Sequence, residues 1–165
     1  MNSSLTKIYW DTNLPIYKVS HSKLCERGIT SLLIDVDGTL LSRNSNNIPD
    51  RVKNWIINAK EIFDLYLISN NPSKKRISKI ANELGINYKY SALKPRIKDT
   101  LEVVNNLNKD KNKIAIIGDR IFTDIIVGNR CKIKTILIRR LNKKGLPLKF
   151  NTTLLLEKLF SLFLF

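Results

Sequence analysis

The first candidate for chemistry is a pair of carboxylates in the segment DVDGT at 35–39. Alternate residues of an extended segment lie on the same face, so Asp35 and Asp37 are expected to approach one site if the chain turns at Gly38. Two carboxylates held together repel each other unless a cation or a proton lies between them. Mg²⁺ is the natural cation because it prefers oxygen ligands and accepts phosphate as a partner. The alternative is a turn with two solvated acids.

Two further polar segments have a chemical and a structural interpretation. In SNNP at 69–72, Ser69 and Asn70 offer a hydroxyl and an amide where a helix is expected to begin. Such a position suits phosphate binding, but it suits simple helix capping equally well. Lys94, in the segment LKP, is on its own typical of a solvated surface charge.

The last polar segment is GDRIFTD at 118–124, which has two acids five residues apart. Asp119 is expected in a loop and Asp124 one turn into the following helix, so that both side chains can face one point. Capping is again the alternative, because an acid in the first turn interacts favourably with the helix dipole.

The elements that must position these residues alternate along the chain. Buried runs of β-type residues predict strands at 31–37, 62–69, 88–92, 113–118 and 134–138. Helical periodicity and end signals predict helices at 49–59, 72–84, 95–107, 122–129 and 152–164. This alternation predicts an α/β fold, a three-layer, Rossmann-like, doubly wound parallel sheet of about five strands. In such folds ligands bind beyond the carboxyl ends of the strands.

The four polar segments follow the first four predicted strands in order. They supply carboxylates, a hydroxyl, a lysine and further carboxylates to one edge of the sheet. Phosphoryl transfer through an aspartyl intermediate requires this set of groups.

With these motifs the chain resembles the haloacid-dehalogenase superfamily of phosphatases, whose pattern is DxDGT, then Ser or Thr, then Lys, then an acidic GDxxxTD. The match covers about residues 30–140. SNNPSKKR at 69–76, SALKP at 91–95 and GDRIFTDIIVGNR at 118–130 are similar to the phosphatidylglycerophosphatase branch of subclass III. Gly38 and Arg120 stand where that branch usually has Asn and Gln.

The resemblance implies a role for each motif residue. Asp35 attacks phosphorus to form an aspartyl-phosphate, and Asp37 acts first as an acid and then as a base. Ser69 and Asn70 bind the phosphate oxygens, and Lys94 neutralises the charge that develops on them. Mg²⁺ is the implied cofactor. Its implied ligands are Asp35, the backbone carbonyl of Asp37, Asp119, and Asp124 either directly or as the partner of a ligand.

Length and charge limit the classes of function. The 165 residues suit a single domain over 1–165, with its motif-bearing core at about 30–140. A net charge of +15 favours anionic partners such as nucleic acid, an acidic membrane surface or a phosphorylated substrate. A general enrichment in Lys, Asn and Ile explains the charge equally well.

Cysteines and chain ends carry further expectations. Cys25 and Cys131 form no CxxC or Cys/His cluster, so we expect two buried free thiols and no zinc site. The N-terminal segment has no continuous apolar region, which argues against a signal peptide. The apolar stretch at 154–165 is shorter than the roughly 20 residues of a membrane span. We therefore expect a cytoplasmic protein, soluble or peripheral on the inner face of the membrane.

The spacing of the motifs leaves no room for a large cap domain, so the site is expected to accept a phosphate displayed on a large molecule. The leading hypothesis is the conversion of phosphatidylglycerophosphate to phosphatidylglycerol, with an anionic phospholipid as partner and no specific nucleic acid. The alternative is the same chemistry on a nucleic-acid 3′-end, a phosphoprotein or a sugar phosphate. A remoter alternative is a non-catalytic basic nucleic-acid-binding protein, although the acidic motifs would repel a phosphate backbone. The oligomeric state is left open.

Overall fold

A computed structural model describes residues 5–148 and 151–164, with side chains described as far as residue 160. Its centre is one sheet of six strands: β1 (Trp10–Asp11), β2 (Ser31–Ile34), β3 (Asp64–Ile68), β4 (Asn87–Lys89), β5 (Ile114–Gly118) and β6 (Lys134–Leu137). All pairs are parallel, in the order β1-β6-β5-β2-β3-β4. Every residue of β2 and β5 is buried, as expected for central strands covered on both faces.

Six helices accompany the sheet: α1 (His21–Glu26), α2 (Asp50–Lys60), α3 (Lys74–Leu84), α4 (Lys98–Asn106), α5 (Ile126–Cys131) and α6 (Thr152–Leu164). The buried side chains of α1, α2 and α3 form one apolar cluster with the sheet, and those of α4 and α5 form a second. The two clusters place helices on both faces of the sheet, so the predicted three-layer α/β fold is confirmed.

The topology creates a crevice between β2 and β5. From β2 the chain continues through β3 to β4 at one side, and then crosses over to β5 and β6 at the other. Ile34 at the end of β2 lies opposite Ile117, so the two central strands end side by side. Segments that follow them therefore meet above the reversal point, where α/β folds of this kind bind ligands.

The structure corrects several predicted bounds. The sheet has six strands instead of about five, because β1 lies in the first 30 residues, where two residues are too few to produce a periodic signal. β2 ends at Ile34 instead of at residue 37, since the chain turns and the Gly38 amide donates to the carbonyl of Leu41. The helix predicted at 122–129 begins with a π-helical turn, Ile121–Ile125, before α5.

The cysteine prediction is partly wrong. Cys131 is buried in the core, whereas Cys25 is exposed on α1, and both are free thiols. Across residues 5–148 and 151–164, no helix has the length and apolar character needed to cross a bilayer. Residue 165 and the side chains of 161–164 in the apolar C-terminal stretch lie outside the described part.

Candidate active site

Three carboxylates converge at the carboxyl ends of the central strands. Asp35 directly follows β2, Asp119 directly follows β5, and Asp124 lies in the π-helical turn after it. Each of the three offers an oxygen within 4.8 Å of the others. They are 7%, 1% and 1% exposed, respectively. The backbone fixes this arrangement, because the Asp35 amide continues the hydrogen bonding between β2 and β5 by donating to the carbonyl of Ile117 over 3.0 Å.

Lys94 connects two of these carboxylates. Its Nζ donates to Asp35 Oδ1 at 2.7 Å, to Asp124 Oδ1 at 2.6 Å and to the carbonyl of Ile68 at 3.0 Å. All three ammonium protons are thereby used. Burial alone would lower the pKa of Lys94, but the carboxylates of Asp124 and Asp35 outweigh it and raise the pKa above its ordinary value. Lys94 is therefore charged and fixed.

Asn70 holds the backbone of Lys94. Its Oδ1 accepts from the Lys94 amide at 2.7 Å, and its Nδ2 donates to the Lys94 carbonyl at 2.8 Å. Ser69, just before it, is 1% exposed and its hydroxyl accepts from the amide of Asn71 at 3.1 Å. Both residues lie at the site as the sequence predicted, but the side chain of Asn70 is committed to positioning Lys94.

Two glycines make room for the acids. Gly38 has φ +100°, a conformation that L side chains rarely adopt, and a Cβ there would lie 2.7 Å from Asp119 Oδ2. A Cβ on Gly118 would collide with the carboxylate of Asp124. Glycine at position 38 thus permits the close approach of the segments that follow β2 and β5, and glycine at position 118 makes room for the turn that carries Asp124.

Asp37 lies at the mouth of the site instead of within the buried group. Its Oδ1 accepts from Arg76 Nη2 at 2.7 Å, and its Oδ2 accepts from Asn71 Nδ2 at 2.8 Å. Both Arg76 and Asn71 come from the start of the α3 region, next to Ser73, which caps that helix. The segment after β3 therefore serves both Lys94 and Asp37.

The site opens to the surface through a cavity of about 130 Å³. The buried residues Asp35, Ser69 and Lys94 line its inner end, and three arginines, Arg43, Arg120 and Arg140, line its mouth. The volume is well below the about 300–1,000 Å³ of pockets that enclose a whole drug-sized ligand. The cavity is suited to one anionic group carried on something larger.

The buried acids fit a divalent cation. Both carboxylate oxygens of Asp119 are buried and make no hydrogen bond within the described chain, and Arg140 Nε lies 3.4 Å from Oδ2 without hydrogen-bond geometry. Burial, followed by repulsion from Asp35 and Asp124, raises the pKa of Asp119 well above its usual range, against the attraction of Arg140 and Arg120. An all-oxygen donor set with unsatisfied lone pairs is the environment that Mg²⁺ prefers.

The structure brings all the predicted site residues to one edge of the sheet. Asp35, Ser69, Lys94, Asp119 and Asp124 are buried there, and their catalytic and ligand roles stay predictions. The motifs assign no role to four residues that line the cavity, namely Arg43, Asn71, Thr123 and Arg140, or to Arg76, which pairs with Asp37. Arg140 could have been found by the strand-end rule. It follows the fifth predicted strand, to whose end no functional residue was assigned.

Comparison with known proteins places this site in a family. The family described as Mitochondrial PGP phosphatase, where PGP is phosphatidylglycerophosphate, matches residues 3–140. The chain belongs to this PGP phosphatase family. One relative is the probable phosphatase YqeG of Bacillus subtilis (strain 168), which is 32% identical over 123 residues that cover 74% of this chain and 72% of that protein. The predicted superfamily is confirmed, and the chain is a phosphoric monoester hydrolase.

Solved structures show that this family member shares its fold with other proteins. An uncharacterized protein from Listeria monocytogenes serotype 4b aligns with a TM-score of 0.55 at 19% identity, over 74% of this chain and 84% of that one. The cobalt-bound deoxy-D-mannose-octulosonate 8-phosphate phosphatase of Haemophilus influenzae aligns with a TM-score of 0.50 at 17% identity, over 70% of each chain. At these identities the likeness concerns the fold alone.

Proposed function

We propose that this phosphatase removes the terminal phosphate of phosphatidylglycerophosphate to give phosphatidylglycerol, with Mg²⁺ as cofactor. The observation that carries the proposal is the small, open, cation-rimmed cavity, which fits a phosphate presented at the end of a larger molecule. Membership of a family described by this substrate supports it.

The nucleophile in this proposal is Asp35. Its Oδ1 is held by Lys94 and its Oδ2 accepts from the Thr39 hydroxyl at 3.3 Å, so the carboxylate is fixed in direction. Attack on phosphorus forms an aspartyl-phosphate at Asp35 and breaks the bond to the substrate alkoxide. Lys94 and the Ser69 hydroxyl then face the charge on the transferring oxygens.

Asp37 is the proton carrier of the proposal. It lies at the mouth of the cavity, where a leaving alkoxide departs and where water enters. Asp37 donates a proton to the alkoxide in the first step. In the second step it removes a proton from the water that attacks phosphorus, which breaks the bond to Asp35 and releases inorganic phosphate. Arg76 and Asn71 each bond one of its oxygens, which directs the carboxyl group towards the cavity.

Asp35, Asp119 and Asp124 are the side chains that would hold the cation, together with the backbone carbonyl of Asp37. A bound cation would shield the carboxylate from the phosphate, so that an anion could attack an anion. Activity is expected to disappear on chelation and to return with Mg²⁺. Ca²⁺ should inhibit, because it takes more ligands at longer distances and can occupy both oxygens of Asp35. Full activity in the metal-free enzyme would contradict this part of the proposal.

The substrate is tested with a phosphate-release panel of phosphatidylglycerophosphate, nucleotides, sugar phosphates and a 3′-phosphorylated oligonucleotide. The proposal expects the highest kcat/KM for phosphatidylglycerophosphate. A higher value for any other member of the panel would reassign the substrate while leaving the phosphatase chemistry in place.

We further propose that the enzyme works at an anionic membrane surface without spanning it. α6 leaves four large apolar side chains about half exposed: Leu155, Leu156, Leu159 and Phe160, at 48–54%. A net charge of +15 adds attraction to anionic lipid, worth about 1 kcal/mol for each basic residue near the surface. Co-sedimentation should occur with phosphatidylglycerol vesicles, weaken as salt rises, and be absent with neutral vesicles. Equal binding to both lipids, or to neither, would contradict it.

A further inference from the structure

A second cavity lies beside the active site, between α6 and the segment that follows β6. It has a volume of about 280 Å³. Its lining residues are Asn13, Arg139, Arg140, Leu148, Asn151, Leu154, Leu155 and Lys158. We call it the α6 groove.

Arg140 joins the α6 groove to the active site, because it lines both cavities. On the active-site side its Nε lies 3.4 Å from Asp119 Oδ2. A molecule whose terminal phosphate lies at Asp35 can therefore extend past Arg140 into the groove without leaving the surface.

Apart from Asn13 and Asn151, the lining of the α6 groove consists of two kinds of side chain. Three are cations, namely Arg139, Arg140 and Lys158, and three are leucines, namely Leu148, Leu154 and Leu155. The cations are held in place: Arg139 Nη2 donates to the Leu148 carbonyl at 2.8 Å, and Lys158 Nζ donates to Asp11 Oδ2 at 3.2 Å. Among the described lining residues there is no carboxylate. The groove thus combines cationic side chains, two of them paired with Asp11 and Asp119, with an apolar wall.

α6 is anchored to the π-helical turn that carries Asp124, so the wall of the groove that α6 provides is held in a fixed position. Glu157 is 7% exposed and its Oε2 accepts from the Ile121 amide at 2.8 Å, at the first residue of the turn that carries Asp124. Leu154 packs on the apolar cluster of that turn. Asn151 caps the helix by accepting from the Leu154 amide at 3.2 Å.

We propose that the α6 groove binds the part of a phospholipid substrate that lies behind its terminal phosphate, namely the phosphodiester and the first segment of an acyl chain. The inference rests on the proposed function and names its subsite. The cations complement the phosphodiester, and Leu148, Leu154 and Leu155 provide apolar contact for the chain. Apolar walls with a few placed polar groups are typical of binding sites for small molecules.

The experiment uses substrates that differ by one part at a time. They are short-chain phosphatidylglycerophosphate kept monomeric in solution, the same compound without acyl chains, an aryl phosphate and a 3′-phosphorylated dinucleotide. Monomeric substrate removes any contribution of membrane binding. For each variant the readout is kcat/KM relative to that for the aryl phosphate, alongside the Tm.

Leu155→Ser and Leu156→Ser form a matched pair on α6, since the two leucines are 48% and 54% exposed but only Leu155 lines the groove. Leu155→Ser should lower the relative kcat/KM for the acylated substrate about 10-fold, in the range for lost apolar contact. It should leave that for the deacylated compound unchanged, and Leu156→Ser should alter neither.

Lys158→Gln and its control Lys144→Gln, an exposed lysine of the segment after β6, test the phosphodiester. Lys158→Gln should lower the relative kcat/KM for the acylated and deacylated compounds alike, and Lys144→Gln should not.

The outcomes separate the groove from the proposed function. If the wild-type preference for the lipid substrate survives Leu155→Ser, or falls equally in Leu156→Ser, the groove is not the lipid subsite, while the proposed function stands. No preference for the lipid in the wild type overturns both. A preference for the dinucleotide that Leu155→Ser abolishes assigns the groove to nucleic acid and overturns the lipid inference.

Discussion

The floor and the rim of the active site are constructed in different ways. The floor, defined as Asp35, Lys94, Asp119 and Asp124, is buried at strand ends and bonded mainly within itself. The rim, defined as Asp37, Arg43, Arg76, Arg120 and Arg140, is partly or fully exposed. Arg76 comes from the first turn of α3 and pairs with Asp37, whereas the other four lie in connecting segments and line the cavity. The proposed function gives the nucleophile, its lysine and the cation ligands to the floor, and gives proton transfer and the choice of substrate to the rim.

The largest expected effect is on the floor, at its nucleophile. Asp35→Asn should reduce kcat by more than about 100-fold, since loss of even one general acid–base group costs roughly 10²–10⁴. The two side chains have the same shape, so circular dichroism and Tm should stay close to those of the wild type. A folded variant with more than about a hundredth of wild-type kcat would remove Asp35 from its role.

A second change to the floor separates metal binding from stability. Asp119→Asn removes a buried charge whose oxygens have no hydrogen-bond partner in the described chain. The Mg²⁺ concentration for half-maximal activity should rise at least about 10-fold, while the metal-free variant should melt no lower than the metal-free wild type. Titration of activity and differential scanning calorimetry measure the two effects. Unaltered Mg²⁺ dependence would contradict the assignment of Asp119.

At the rim, the expected effect is smaller and depends on the leaving group. Arg76→Gln removes the 2.7 Å ion pair that directs Asp37, but Asn71 remains as a partner. We expect kcat to fall about 10-fold for an alkyl phosphate, less than the roughly 10²–10⁴ of losing the proton carrier itself. An aryl phosphate, whose leaving group needs little protonation, should be affected less.

Lys75→Gln is the control for this change, because Lys75 is an exposed cation one residue away on α3. It should affect neither substrate. Equal losses for alkyl and aryl phosphates in Arg76→Gln would mean that Arg76 supports the fold and does not position the proton carrier.

The smallest expected effect is the pH dependence of the metal-free protein. Burial raises the pKa of Asp124 from 3.8 to about 6, with Lys94 opposing the rise and Asp35 adding to it. The folded protein therefore holds this proton more tightly than the unfolded chain does. Stability from this group is present at low pH and is lost as the pH rises from 3.8 through about 6.

The measurement is the Tm of wild type minus that of Asp124→Asn, both without metal. This difference should fall by a few degrees between about pH 4 and pH 7. A difference that is constant or increases with pH would show that Asp124 is not held in an unfavourable ionised form.

The contrast between floor and rim also explains what sequence could predict. Asp35, Ser69 and Asp119 directly follow β2, β3 and β5, and Lys94 comes five residues after β4, so the strand-end rule located all four from local patterns alone. The alternation of strand and helix patterns indicated the α/β fold, and the order of the motifs along the chain, rather than any one motif, indicated its phosphatase chemistry.

The remaining features depend on contacts between distant segments. The ion pair of Arg76 with Asp37 joins residues 39 apart, and the bond from Ile121 to Glu157 joins residues 36 apart. Neither leaves a periodic trace in the sequence. The two-residue strand β1 also depends on a distant segment, because it pairs with β6, and it is too short to produce a periodic pattern.

Transfer of the phosphoryl group through Asp35 is tested by trapping the aspartyl-phosphate during turnover. Enzyme quenched with acid during turnover is treated with borohydride, which reduces an aspartyl-phosphate to homoserine, and is then mapped by peptide mass spectrometry. Homoserine is expected at position 35, and only when substrate and Mg²⁺ are both present. Modification at Asp37 or a phosphoryl group on Ser69, with residue 35 left as aspartate, would contradict it.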